Sequence, residues 1–457
     1  MTVPAEPARP SLTEVAATAT ITPAQRKRAT ISVAAGSVLE YFDWIIYSVF
    51  AVYFAPLVFH AGDLTSALLQ SAAVFATGYL IRPIGAVIIG KVSDRHGRKP
   101  ALTLSVTMVT IGTLMIAAVP TYAAVGVWSS VMLVVARVLQ GLAFGGEFGT
   151  ASATLREISP PERRGRVSSS FTIASSSGNI LGFVVLVVLT TVLSPAQMSS
   201  FGWRIPFALA VVGAFVLLYL RVRMIESPVF RLVEASPARE RGRIRDLLSP
   251  GNRGSMLLVF GAFAMTIPIF ITVTSYSQKL GVAGLGLSSK SVGWALLIAL
   301  VVMAVSTYFF GWLGDRYGTA TVFAIGVGSA TVLIVPAYLF ITGTGTVAGL
   351  TIGVSVLSLC VSMWGAVQQT VYAALLPPHL RALGVGLAVG IATAAFGGPA
   401  ELVALSFAKA GFPIGHFILM TFLGLCGTVV ALLIRKRLAA ERSTPLAEPA
   451  SAARQAR

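Results

Sequence analysis

The sequence predicts an all-α membrane protein, with twelve transmembrane helices in two six-helix pseudo-repeats. Three observations carry this reading. Of 457 residues, 55% are hydrophobic and only 11% are charged, against about 25% charged in a soluble protein. Twelve apolar runs reach the roughly 20 residues that a helix needs to cross a bilayer. Basic residues collect in alternate connections between those runs, the pattern that sets topology in a membrane.

The composition also excludes other classes. A mean hydropathy of +0.82 leaves too few polar residues to cover a water-soluble fold of this size. The net charge of +17 would suggest nucleic acid in a soluble protein. Here the charge sits where a lipid bilayer requires it, so no nucleic-acid partner is expected. Cys360 and Cys426 lie inside apolar runs and read as small hydrophobes, with neither a disulfide framework nor metal-ligand spacing. His60, His96, His379 and His416 are scattered near run ends, and no metalloprotease or hydrolase motif appears. No cofactor, no metal and no enzymatic activity are therefore expected.

The runs fall near 31–58, 65–90, 100–119, 125–155, 167–193, 204–222, 254–280, 290–313, 320–341, 347–375, 383–409 and 414–434. They divide the chain into a tail (1–30), a six-span half (31–222), a basic linker (223–253), a second half (254–434) and a second tail (435–457). Residues 1–30 have no apolar core and read as a cytoplasmic tail, not a cleaved signal peptide. All but six of the 34 Lys and Arg residues fall in the tails and in the connections after spans 2, 4, 6, 8 and 10. The exceptions are Arg82, Arg137, Arg204, Lys279, Lys290 and Lys409. This asymmetry places both termini in the cytoplasm, with a cell (inner) membrane location.

The halves share a trace of sequence. "GKVSDRHGRK" (90–99) lines up with "GWLGDRYGTA" (311–320), so that Gly90, Asp94, Arg95 and Gly97 match Gly311, Asp315, Arg316 and Gly318. "SPPERRGR" (159–166) lines up with "LPPHLRAL" (376–383) at the corresponding place in the helix order. Repeated halves are a transporter plan with the substrate site between them near mid-membrane.

The same stretches resemble the major facilitator superfamily, whose signature loop between helices 2 and 3 looks like "GKVSDRHGRK". More narrowly, "GSVLEYFDWIIYSVF" (36–50), "GYLIRPIG" (78–85), "RVLQGLAFGGEFGTASATLREISPPERRG" (137–165), "GWRIPFALA" (202–210) and "ESPVF" (226–230) resemble the metabolite:proton symporters. Within these, residues 68–106 look most like α-ketoglutarate permeases. The resemblance covers most of the first half and is mainly one of pattern in the second. Thr319 and Ala320 depart from it, standing where the first half has Arg98 and Lys99, so the second loop is expected to latch less well.

Ionisable groups deep in a membrane are costly and are functional candidates by default. Glu40, Asp43 and Tyr47 share one face of span 1 by their spacing. Asp43 lies roughly 18 Å inside the span at the helical rise. A carboxylate there balances desolvation against nearby cations, as a proton-coupling site must; the alternative is a structural ion pair to a neighbouring helix. On span 4, Arg137, Gln140, Phe144 and Glu147 fall within one arc beside a stripe of Gly141, Gly145 and Gly149, which lets a helix approach. Arg137 is a candidate for a substrate carboxylate, because a guanidinium binds it in two-pronged fashion; an ion pair with span 1 competes equally. Arg82, before Pro83, either binds an anion or neutralises Glu40 or Asp43. Glu40, Asp43 and Glu147 are the proton-coupling candidates. Arg82, Arg137, Tyr47, Gln140, Asn179, Trp364, Gln368 and Tyr372 are the substrate candidates, the last three as a stripe on span 10 that packing would also explain. Lys279 is placed near the outer mouth, to steer anions or snorkel, and Arg204 is read as snorkelling to the headgroups. Glu401 is an isolated polar candidate. Pro268, Gly397, Gly398 and Pro399 mark bends in spans 7 and 11.

Gly90, Asp94, Arg95, Gly97, Arg98, Lys99, Glu157, Arg163, Arg164, Asp315 and Arg316 form the expected cytoplasmic gate, with Glu157, Arg163 and Arg164 as partners for Asp94. The function expected is a proton-coupled importer of a small organic anion, α-ketoglutarate or a related di- or tricarboxylate, working as a monomer by alternating access. The alternatives are a symporter of citrate, shikimate, or betaine or proline, and a drug exporter of the same fold, against which "GGEFG" and "GWRIP" argue.

Overall fold

The computed structural model describes residues 23–96, 98–145, 147–222 and 244–443. Most of the two tails and of the linker, as well as Gly97, lie outside the described residues. So do the side chains of Asp94, Arg95, Arg98, Lys99 and Glu147, and the surroundings of Gly90.

Among the described residues, ten helices are long and apolar enough to span a membrane, and two shorter apolar helices complete the set of twelve. In chain order they are α1 (Val33–Val58), α2 (Leu64–Ile89), α3 (Thr103–Ala117), α4 (Trp128–Ile158), α5 (Pro161–Val192) and α6 (Gly202–Val216). The second half continues with α7 (Pro250–Gly284), α8 (Ser289–Tyr317), α9 (Thr319–Thr344), α10 (Val347–Ala374), α11 (Arg381–Lys409) and α12 (Ile414–Ala440). Every expected span has its helix. Large apolar side chains such as Val192, Val305 and Val332 point outward, as a lipid-facing surface allows.

Each half packs within itself through α1 on α5, α3 on α4 and α6, and then α8 on α10, α9 on α10 and α12. The halves meet through α5 on α8 and α10, and α4 and α2 on α11. Glycines make these contacts close. A Cβ on Gly141 or Gly145 would lie 2.1 Å from the carbonyl oxygens of Gly78 and Arg82 respectively, so these two glycines seat α2. Gly149 instead faces the other half, 2.2 Å from Ala382 O by the same measure.

Three places depart from regular helix where the sequence forces it. α2 breaks at Ile81 and restarts at Arg82, because Pro83 has no N–H to continue the ladder. α7 contains π-helical turns at Thr272–Tyr276 and Leu280–Gly284, after Pro268. α11 contains one at Thr393–Gly397, just before Pro399. The places in spans 7 and 11 where bends were expected thus carry π-turns. Between α8 and α9, Gly318 adopts φ 95°, a left-handed conformation that only glycine holds without strain. At the opposite end, Asp63 caps α2 by accepting from the Ser66 amide at 2.8 Å and hydroxyl at 2.6 Å. The hydroxyl bond first, then the amide bond, holds the Asp63 carboxyl below its usual range.

Candidate functional site

The kink in α2 turns Arg82 toward α1. Arg82 Nη2 lies 3.7 Å from Glu40 Oε1, and its guanidinium stacks over Trp44 at 4.5 Å and Tyr79 at 4.6 Å. Trp44 Nε1 donates to the Tyr79 hydroxyl, fixing both rings. Gly78 leaves room for the indole: a Cβ there would sit 2.8 Å from Trp44 Cη2. Of the sequence alternatives for Arg82, the structure has it pairing with Glu40.

Arg137 is fully buried. Its guanidinium lies 3.7 Å from the centre of the Tyr47 ring, which stacks on Phe75. Arg137 Nη1 donates to Gln140 Oε1 at 2.9 Å. Gln140 Nε2 in turn donates to Asp43 Oδ2 at 2.7 Å and to Thr113 at 2.9 Å. Thr113 donates to Asp43 Oδ1 at 2.7 Å. The link between Arg137 and span 1, one of the two readings of the sequence, is thus relayed through an amide rather than made as a direct ion pair. Gly112 of α3 makes the relay possible, because a Cβ there would lie 2.8 Å from Gln140 Cγ. Arg137 Nε and Nη2, and Arg82 Nε, are buried with no hydrogen-bond partner. Two guanidinium groups therefore hold spare donors beside two carboxylates and an aromatic wall.

Other candidates lie elsewhere. Asn179 is buried on α5 with its Nδ2 unpartnered. Trp364 packs where Gly326 of α9 approaches its backbone, and the Tyr372 ring meets Phe263 and Phe323 edge-on. Among the described residues, no hydrogen bond or ring contact joins either to Arg82 or Arg137. Gln368 is half-buried; its neighbour Gln369 accepts from Ser152 of α4. Thr113, Trp44, Tyr79 and Gln369 were not singled out by sequence, since nothing in a single sequence marks them apart from packing residues.

Three expectations are corrected. Lys279 does not reach an outer mouth: it is 1% exposed and lies 2.7 Å from Glu401 Oε1. Glu401 is accordingly not isolated. Glu401 and the two Ser48 oxygens give the ammonium a partner for each of its hydrogens inside the bundle, so it has no need to reach water. Arg204 does not simply snorkel either; it donates to Val119 O at 2.6 Å and stacks on Trp203.

The basic end of the bundle closes through charges that span the halves. Asp315 accepts from Arg166 Nε at 2.7 Å and from the Gly165 amide at 2.6 Å. Glu157 lies 3.6 Å from Arg381, and Arg156 donates to Thr370 O at 3.2 Å. Second-half Asp315 is thus held by two donors from the first half; the matching first-half loop lies outside the described side chains, so the expected difference between the two loops stays an expectation. The partner is Arg166, whereas Arg163 is exposed and Arg316 lies over Trp312 and Tyr317 of its own helix. Asp94 lies outside the described side chains, so its pairing with Glu157, Arg163 or Arg164 has no observation here.

Known proteins share this organisation. The chain is 34% identical over 409 residues to the alpha-ketoglutarate permease of Escherichia coli (strain K12), covering 90% of this chain and 94% of that protein. It is 30% identical over 412 residues to a protein named as a proline/betaine transporter in Staphylococcus aureus (strain MSSA476), covering 88% of this chain and 87% of the relative. The solved structure of the proton:xylose symporter XylE bound to 6-bromo-6-deoxy-D-glucose has the same fold. It superposes with a TM-score of 0.71 at 18% identity, over 90% of this chain and 95% of that one. The family model for the Major Facilitator Superfamily matches residues 33–399. Twelve helices, two repeated halves and this match together place the chain in the Major Facilitator Superfamily, as a multi-pass membrane transporter and not an enzyme.

Proposed function

We propose that the chain is a proton-coupled importer of a small dicarboxylate, α-ketoglutarate or a close di- or tricarboxylate relative. The observation that carries this reading is the pair of guanidinium groups, buried Arg137 and half-buried Arg82, each with buried spare donors. A buried donor without an acceptor is costly, and a carboxylate supplies two acceptor oxygens in the geometry that a guanidinium matches. The identity to the E. coli alpha-ketoglutarate permease supports the same class. Glu40 and Asp43 stand beside these cations as proton acceptors, and Glu147 remains a third candidate.

A zwitterion such as proline or betaine is the second reading, from the relative named for those solutes. A quaternary ammonium needs an open aromatic cage. Here the rings of Trp44, Tyr47 and Tyr79 are already covered by the two guanidinium groups, which favours the anion.

In the proposed cycle the six-helix halves rock about this site. The basic end faces the cytoplasm by the charge rule, and the Asp315 and Glu157 latches hold it closed in the outward-facing state. The protein works as a monomer in the inner membrane. The deciding measurement is uptake into proteoliposomes under an imposed proton gradient, over a panel of α-ketoglutarate, citrate, shikimate, proline and betaine. Accumulation of a dicarboxylate that collapses when the gradient is removed is the expected result. Uptake of proline or betaine alone would reject the anion reading.

A further inference from the structure

The arginine cluster leaves one buried charge pair unused. Lys279 Nζ, 2.7 Å from Glu401 Oε1, also donates to Ser48 O and Ser48 Oγ, both at 2.8 Å. Ser48 Oγ donates to Glu401 Oε2 at 2.9 Å. These three partners use all three ammonium hydrogens. Lys279 and Glu401 belong to the second half, while Ser48 belongs to α1, so the cluster sits where the halves meet. Gly398, one turn before Glu401, presses α11 on α2: a Cβ there would lie 2.9 Å from Tyr79 Cβ.

Two further observations set this pair apart from a simple structural bridge. Ser48 directly follows Tyr47, the residue under the Arg137 guanidinium. Adjacent residues of α1 therefore touch the cations of both halves. Both charged residues also sit beside π-helical turns. Lys279 lies between those at Thr272–Tyr276 and Leu280–Gly284, and Glu401 follows the one at Thr393–Gly397. Such turns gather at functional sites, because they loosen the helical ladder locally. A packing lock alone needs neither charges nor π-turns, since apolar side chains serve as well or better.

We propose that Lys279 is a second anion site, which takes one carboxylate of the transported dicarboxylate in exchange for Glu401. The Glu401 side chain has the same chemistry as that carboxylate, so Nζ and the Ser48 hydroxyl already form a cradle for it. The arginines of the first half hold the other carboxylate. A co-transported proton offsets the added negative charge. This inference rests on the dicarboxylate reading above and names the group that meets the second carboxylate.

The test compares α-ketoglutarate with 2-oxopentanoate, which lacks the distal carboxylate, by calorimetric titration of the purified full chain. The wild type is expected to bind the diacid at least about tenfold more tightly, the value of one charge-assisted contact. In K279M/E401M, which removes both charges together, the diacid should fall to the level of the monoacid, whose own affinity stays within about threefold. A double variant that keeps the diacid preference overturns the proposal. Should that variant not reach the membrane, E401Q answers the same question. It removes the competing carboxylate, so diacid affinity should rise about threefold or more, and unchanged or weaker binding overturns the proposal. If the wild type binds neither acid, the dicarboxylate reading falls, and this inference with it. If the wild type prefers the diacid and both variants behave like it, only the assignment of Lys279 falls.

Discussion

Gln140 stands between Arg137 and Asp43, accepting from the guanidinium at 2.9 Å and donating to the carboxylate at 2.7 Å. The two ends of its amide are chemically opposite, so it satisfies a cation and an anion at once. No apolar side chain of the same shape can do this. Q140L leaves two buried polar groups short of a partner, at about 1–3 kcal/mol each. The variant is expected to melt at lower temperature and to lose most uptake. G112A reaches the same amide by a separate route, since its Cβ would lie 2.8 Å from Gln140 Cγ, and should give the same phenotype. Normal uptake by both variants would show that the relay is dispensable.

Asp43 receives two hydrogen bonds, from Thr113 and Gln140, and is 3% exposed. If it is the coupling carboxylate, D43N separates coupling from binding. The amide keeps the shape and can still accept from Thr113. Expected is loss of gradient-driven accumulation, with substrate counterflow between equal proton concentrations retained at a third or more of its wild-type rate, roughly. Undiminished accumulation would move the coupling role to Glu40 or Glu147.

The positions of the spans were legible because the bilayer demands uninterrupted apolar length, and buried charges stood out because they are costly there. Their partners were not legible. Arg82 had Glu40 and Asp43 within reach of the same helix face, and only the kink at Pro83 decides for Glu40. Lys279 looked like an outer-mouth residue because it lies close to the Gly284 end of α7. It is drawn inward by Glu401, far away in sequence on α11. At the start of α5, Arg163, Arg164 and Arg166 are equivalent in charge, and the direction in which the helix leaves its first turn selects Arg166 for Asp315. Relays through neutral residues, such as Thr113 and Gln140 on different helices, have no signature in one sequence beyond being polar in a span.

Trp364 gives a test of packing against binding. It is 2% exposed, and α9 approaches its backbone at Gly326 so closely that a Cβ there would lie 2.6 Å from Trp364 N. W364A is expected to cost about 3–5 kcal/mol through the cavity it leaves, seen as a lower melting temperature, with unchanged KM in the folded fraction. A raised KM without a stability loss would instead return Trp364 to the substrate site.

The final prediction concerns closure at the basic end. A Cβ on Gly149 would lie 2.2 Å from Ala382 O and 2.5 Å from Gly386 N. One on Gly165 would lie 2.2 Å from Gly311 O. Every close neighbour of these two glycines belongs to the opposite half. Alanine at either place therefore leaves each half's own packing intact and penalises only the approach of one to the other. Overpacking of this kind costs about 1–3 kcal/mol, enough to move a two-state population by roughly tenfold or more. G149A and G165A are expected to keep near-normal helix content, to lose about tenfold or more in uptake, and to hold the basic end open. Spin labels on α4 and α11 at that end should report a longer distance than in the wild type. G251A, where nothing lies within 4 Å, is the control and should behave as wild type. Equal label distances in all three would mean that the contact between the halves at Gly149 and Gly165 is not what closes this end.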